Sequence, residues 1–384
     1  MNKEKIVLIS PSYPYRGGQA LVEAHLYEKL TALGYDCYTI SFKLLYPKIF
    51  FPGATQFDKS NQSFYNHESK VFRIINSINP FSWYLAIKKI KSLDPKLIIF
   101  VWWMPFFGPA YATIAFFIKR MTKGKVSFLV ENYISHENRW FDKVMSKITL
   151  QVSDTYICQS NYVKDQLEYH YINKPIFKTT LSVYDCYNNN VYDKISAKEN
   201  LGIKTEKVVL FFGLIRKYKG LDQLIRSFKM IQEKYPDSTL LIVGECYEDI
   251  NYYKDIITEE GIGNNVLLVD EFIDNEDIEP YFKASDVVCL PYNSATQSGI
   301  LMMAYGFNIP VVVNNVGGLP ELVVEGKTGH VIENNSPENI AKGIVNNLNN
   351  SGDTNYADNI KSLNKNLGYG NFGDLIKKLI NYKN

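Results

Sequence analysis

Runs of four to six apolar residues recur along the chain, each ending in a small or polar loop, and most are followed by an amphipathic stretch. Ile6-Val-Leu-Ile-Ser10 is the first. After it come Gly17-Gly18, a helical pattern through Leu33 and a closing Gly34. Further strands are expected at Cys37–Phe42, Leu97–Trp103, Val126–Val130 and Thr155–Cys158. The second half repeats the scheme at Val208–Phe212, Thr239–Val243, Val266–Val269, Val287–Leu290 and Pro310–Val313. Helices are expected at Leu221–Tyr235, Tyr252–Glu260 and Asp277–Ala284. Buried strands alternating with helices predict parallel sheets with helical crossovers. The fold class is therefore α/β, with two facing Rossmann-like, doubly wound domains. Tyr184–Gly202, with Asn188-Asn-Asn190 and little periodicity, reads as their connection. The expected division is 1–185, 186–365 and a terminal amphipathic segment, 366–384. Tyr46–Ser69 is irregular and polar and reads as a long loop.

One segment complicates this picture. Leu97–Ile118 is free of charge over 22 residues, long enough to span a bilayer. Pro105, Gly108 and Pro109 interrupt it, so a strand, a loop and a helix from Ala110 to Met121 are expected instead. Trp102, Trp103, Phe106 and Phe107 cluster at the loop, with Lys119, Arg120, Lys123 and Lys125 following. That combination fits a bilayer interface; packing between domains fits it equally. Composition adds limits. A chain of 384 residues with 46% hydrophobics can build two cores. A formal charge of +2 implies no nucleic-acid footprint. Five scattered cysteines lack metal or redox spacing, and no secretory signal is evident after Lys3 and Lys5, so a cytoplasmic setting is expected.

Candidate chemistry lies in three loops that follow strands and precede helices: Arg16-Gly-Gly18, Gly213–Gly220 and Ser294–Gly299. They offer glycine, hydroxyls and amides rather than reactive acids. The N-terminus of a helix presents unpaired N–H groups and partial positive charge, which suits phosphate. The middle loop adds Arg216, Lys217 and Lys219. Any one of these lysines alone would read as a solvated loop charge, but cations, glycine and helix together read as an anion site. Gly326-Lys-Thr328 lacks the glycine a phosphate loop needs at Glu321. His136-Glu137 lacks the second histidine of a zinc-protease motif, Trp140 standing there.

The chain resembles the retaining, nucleotide-sugar-dependent glycosyltransferases of family 4, which have the two-Rossmann GT-B architecture. The resemblance runs over Ser10–Gly18, Phe211–Asp222, Leu240–Glu245, Ala284–Pro291, Pro310–Glu321 and Thr328–Ile332. It implies that Lys219 and Arg216 neutralise the donor diphosphate and that Gly17 and Gly18 offer main-chain amides nearby. Thr296, Gln297, Ser298, Gly299 and Ile300 would line phosphate and sugar, and Phe272 and Ile273 would meet the base. It further implies a terminal helix returning to the first domain. Three departures stand out. Arg216 is two residues later than usual, Leu214 taking the customary place. The two glutamates common in the family are absent, their positions falling near Ala295 or Thr296 and at Met303, as in an amide-rich branch. Glu321 is then a substitute for ribose contact. Where relatives often have His-Asn, this chain has Glu131-Asn132, so Glu131 and His136 are catalytic candidates, with structural roles equally open.

The implied reaction moves a sugar from a nucleotide-diphosphate donor to a hydroxyl acceptor with retention, without a metal or cofactor. The acceptor would be a cell-envelope glycan or lipid-linked intermediate, reached at the cytoplasmic face of the inner membrane. Two rivals are carried: a noncatalytic sugar-nucleotide-binding scaffold, and a sugar-nucleotide epimerase of the same fold.

Overall fold

The computed structural model describes residues 3–51, 55–60, 67–133, 140–171, 173–350, 355–367 and 372–382. The chain divides into two compact units. The first comprises the described residues of Met1–Lys59, Ser63–Ser182 and Gly368–Asn384; the second comprises those of Ser60–Gln62 and Val183–Leu367.

The first unit runs β1 (Lys5–Ile9), α1 (Gly18–Ala32), β2 (Asp36–Leu44), β3 (Val71–Asn76), α2 (Pro80–Leu93), β4 (Leu97–Trp102), α3 (Gly108–Met121), β5 (Lys125–Val130), α4 (Trp140–Gln151), β6 (Thr155–Cys158), α5 (Asn161–His170) and β7 (Ile176–Lys178). Its seven strands order as β3-β2-β1-β4-β5-β6-β7, and every pair is parallel. All six residues of β4 are fully buried, as a strand covered on both faces requires. The uncharged run Leu97–Ile118 is thus β4, a short 3-10 turn at Pro105–Phe107 and most of α3. Among the described residues, no helix is long and apolar enough to cross a membrane.

The second unit runs α6 (Lys194–Asn200), β8 (Lys207–Phe212), α7 (Leu221–Lys234), β9 (Ser238–Val243), α8 (Ile250–Glu259), β10 (Val266–Val269), α9 (Glu279–Lys283), β11 (Val287–Leu290), α10 (Gly299–Gly306), β12 (Val311–Asn314), β13 (Gly329–Ile332), α11 (Pro337–Asn350) and α12 (Tyr356–Asn364). Its six strands are parallel and order as β10-β9-β8-β11-β12-β13. The last helix, α13 (Phe372–Asn381), packs against β5 of the first unit and buries Phe372, Ile376 and Leu379.

Several expectations shift. β3, β7 and β13 are strands that the hydrophobic pattern did not reveal, being short or edge-placed. Part of the expected connection folds as α6, started by a capping box between Asp193 and Ser196. The expected helix Asp277–Ala284 is a 3-10 turn, Asn275–Asp277, followed by α9. Trp102 is fully buried, Trp103 nearly so and Phe107 fully buried, in edge-to-face and tilted contacts with one another, Phe42 and Tyr111. Trp102, Trp103 and Phe107 thus complete the core at the end of the sheet, while Phe106 is half-buried.

Candidate functional site

In each sheet the strand order reverses at the first strand of the unit. β1 lies between β2 and β4, and β8 lies between β9 and β11. In open parallel sheets, the loops leaving the carboxyl ends of the strands beside such a reversal diverge to opposite faces and leave a crevice between them. In the second unit those loops are 213–220, after β8, and 291–298, after β11.

The first loop leaves β8 at Gly213, makes a 3-10 turn over Lys217–Lys219 and enters α7 through Gly220. Gly220 adopts φ +66, and a Cβ there would lie 2.1 Å from the Pro291 carbonyl oxygen. The two loops therefore approach backbone to backbone at this point. Asn293 ties them further: its N–H donates to the Tyr218 carbonyl at 2.7 Å and its side-chain amide to the Lys217 carbonyl at 3.3 Å.

Lys219 is folded inward, only 8% exposed. Its Nζ lies over the Tyr292 ring, 5.4 Å from the centroid. A Cβ on Gly213 would sit 3.3 Å from that Nζ and 3.2 Å from Ile300 Cδ1, so the amine, the end of β8 and the first turn of α10 converge. Burial, and then the charge of Arg216, push the Lys219 ammonium down to about 8. Arg216 places its guanidinium 5.0 Å from the Tyr247 ring centroid. Neither cation forms an ion pair among the described residues. Lys219 is therefore a desolvated cation with a second cation, Arg216, acting on it and no carboxylate paired to it among the described residues.

The second loop supplies the opposite wall. Ser298 caps α10, its hydroxyl accepting from the Leu301 N–H at 3.4 Å. Thr296 and Ser298 are buried, and Gln297 and Ile300 are half-buried. Gly299 packs on the ring of Tyr184, where a Cβ would come within 3.1 Å. Ala295 and Met303 are both buried, so these apolar side chains occupy space rather than offer charge. Ala295 is pinned by the loop after β12, since a Cβ on Gly317 would meet the Ala295 carbonyl oxygen. That loop leads into the 3-10 turn Pro320–Leu322 carrying Glu321, which is exposed. Phe272, half-buried, and Ile273, buried, follow β10 at the same strand-end edge of the sheet, two strands from β8.

In the first unit, the loop after β1 ends at Gly17, φ +111, which caps α1. A Cβ on Gly18 would meet nothing within 4 Å, so the main chain there is open to a ligand. Glu131 follows β5, its N–H donating to the Trp102 carbonyl at 2.9 Å. It is 7% exposed, and burial raises its carboxyl to about 7. The Gln19 side-chain amide, in the first turn of α1, donates to its Oε2 at 3.2 Å. Gln19 was not foreseen: nothing in the sequence pairs positions 19 and 131 until β1, β4 and β5 lie side by side. Tyr292 was missed for the same reason. His136 lies outside the described residues. Among the described residues, no three His, Cys, Asp or Glu side chains gather as a metal site, and all five cysteines are free thiols.

Two doubly wound parallel sheets in one chain, each with glycine-bearing loops at the point of strand reversal, define the GT-B class of glycosyltransferase architecture. Residues 193–366 match the family described as glycosyl transferases group 1, so the second unit carries a group 1 glycosyltransferase domain. The chain is similar to an uncharacterized glycosyltransferase of Methanocaldococcus jannaschii, 27% identical over 153 residues, covering 40% of this chain and 38% of that protein. The chain spans between about a third and three fifths of the length of the curated relatives it matches. Among solved structures, a glycosyltransferase from Rickettsia africae superposes with a TM-score of 0.73 at 17% identity over 100% of both chains. Anabaena Alr3699/HepE in complex with UDP-glucose superposes with a TM-score of 0.72 at 17% identity, over 97% of this chain and 98% of that one. At such identities the likeness is one of fold.

Proposed function

We propose that this protein is a retaining glycosyltransferase of the family 4 kind. It would transfer a sugar from a nucleotide-diphosphate donor to a hydroxyl acceptor. The observation that carries this reading is the convergence of the buried, carboxylate-free Lys219 amine with the amide-rich start of α10 beside β8.

In this reading Lys219 and Arg216 hold the diphosphate and stabilise the charge that grows on it as the bond from phosphate oxygen to the anomeric carbon breaks. Such stabilisation is the largest single term in many enzymes. Thr296, Gln297, Ser298, Gly299 and Ile300 line phosphate and sugar through hydroxyls and main-chain amides. Phe272 and Ile273 meet the base, and Glu321 meets the ribose. The acceptor hydroxyl attacks from the face the diphosphate leaves, and the departing phosphate oxygen takes its proton. No protein base is required, which fits a domain with few carboxylates near the cations. The two cations also take the role a metal would otherwise fill. In the first unit, Gly17 and Gly18 present amides, and Glu131, steadied by Gln19, accepts a hydrogen bond from a substrate hydroxyl. The acceptor belongs to a cell-envelope glycan or lipid-linked intermediate, met at the cytoplasmic face of the membrane.

A noncatalytic sugar-nucleotide-binding scaffold is the second reading, favoured by Ala295 or Thr296, and Met303, where the family's carboxylates are expected. An epimerase would need acid and base groups around the sugar, and the loops 213–220 and 291–298 carry no Asp, Glu or His. The test is a thermal-shift screen of nucleotide sugars starting with UDP-glucose, followed by donor hydrolysis and transfer assays with and without EDTA. Stabilisation by a donor, turnover insensitive to EDTA and its loss in Lys219→Ala support the transferase. Donor binding without turnover across a broad acceptor set supports the scaffold.

A further inference from the structure

One helical face of the first unit has a property that no part of the transfer chemistry uses. Helices α2, α3 and α4 follow successive strands that step one way across the sheet, so right-handed crossovers place all three on one side. α2 abuts α3, and α3 abuts α4. Eight of the nineteen large apolar side chains exposed among the described residues lie on these helices. Scattered single apolar residues need no explanation, but a continuous patch does.

On α2, Phe81 is 67% exposed, and Tyr84, Leu85 and Lys88 continue the same stripe at helical spacing. On α3, Phe116, Phe117 and Met121 are exposed, and the Arg120 guanidinium lies 3.5 Å from the Phe116 ring centroid. On α4, Lys143 and Lys147 alternate with Val144 and Ile148, all four exposed. The charge is one-sided. The three helices carry seven basic residues and a single carboxylate, Asp142, which is buried. Asp94, at the end of α2, is the exposed carboxylate that borders them. The chain as a whole is nearly neutral, at +2, so this concentration is local.

We infer that the α2–α3–α4 face is a docking surface for an anionic lipid bilayer. Apolar and aromatic side chains flanked by cations, with the exposed acid Asp94 only at the border, match an interface whose acyl boundary is apolar and whose headgroups are negative. A second copy of the chain would instead bring one cationic face against another. The surface is distinct from the tryptophan loop, which is buried, and the inference does not depend on the transferase reading.

The test is co-sedimentation of the full chain with phosphatidylcholine vesicles and with vesicles also containing phosphatidylglycerol, at low and high salt. Binding to the anionic vesicles that weakens with salt is expected, with little binding to the neutral ones. Phe81→Glu/Phe117→Glu and Lys143→Glu/Lys147→Glu should each lower binding about tenfold or more. The altered residues are exposed, so melting temperature and donor-induced thermal shift should stay as in the parent protein. Absence of binding to anionic vesicles, or equal binding by both variants, overturns the inference. So does a dimer in light scattering that Phe117→Glu converts to monomer, which would assign the face to a second copy.

Discussion

At the scale of single residues, Lys219 carries the heaviest consequence. If its ammonium stabilises the departing diphosphate, Lys219→Ala should lower donor turnover about 100- to 1000-fold, measured as kcat. Its pH behaviour follows from burial. With the group held down at about 8, the free protein loses this cation as pH rises through 8, so the Kd for a nucleotide sugar should rise above that pH. Lys219→Arg keeps its charge there and should flatten the profile, as titration of affinity against pH will show. Glu131 provides the opposite case. Its folded value, about 7, lies above the usual carboxylate value of 4.5. The folded state therefore holds the proton more tightly, and this contribution to stability is present below 4.5 and lost as pH rises through 7. Glu131→Gln should raise stability at pH 8 and leave it little changed at pH 4, read by denaturant midpoints. Lys219 was legible in the sequence because a strand, cations and a glycine before a helix are a local pattern. The Gln19–Glu131 pair was not, because the two residues lie 112 positions apart.

At the scale of elements, the loops at the strand ends are held by caps and close backbone approaches. Ser298 starts α10 and orients its first amides. Ser298→Ala should cost about 1 kcal/mol of stability and weaken donor affinity together, by thermal melts and binding titration. Gly220→Ala is harsher, since φ +66 and the Pro291 carbonyl leave no room for a Cβ. It should destabilise the second unit by roughly 2 kcal/mol or more, seen as a lower midpoint of unfolding. The long buried strands were readable because their apolar runs are continuous. β3 and β13 were not, because short or edge strands carry mixed side chains and become strands only once a neighbour offers its hydrogen bonds.

At the scale of the whole molecule, alternating buried strands and amphipathic helices over 384 residues already determined an α/β chain with two parallel sheets. That alternation is local, and burial on both faces of a parallel strand leaves a direct trace in composition. The strand order, with reversals at β1 and β8, arises from which strands pair, and no short window of sequence records it. The same holds for exposure. Trp102, Trp103 and Phe107, for which the sequence left a bilayer interface and packing equally open, lie in the core, while Phe81 and Phe117, unremarked in the sequence, face solvent. Hydropathy reports a side chain's preference, whereas its position is set by the neighbours that the fold brings to it. The sequence thus determined the kinds of element and which loops carry glycine, hydroxyls and cations. Tertiary structure decided which loops meet, which lysine is desolvated and which face remains uncovered, because each of these depends on contacts between residues far apart in the chain.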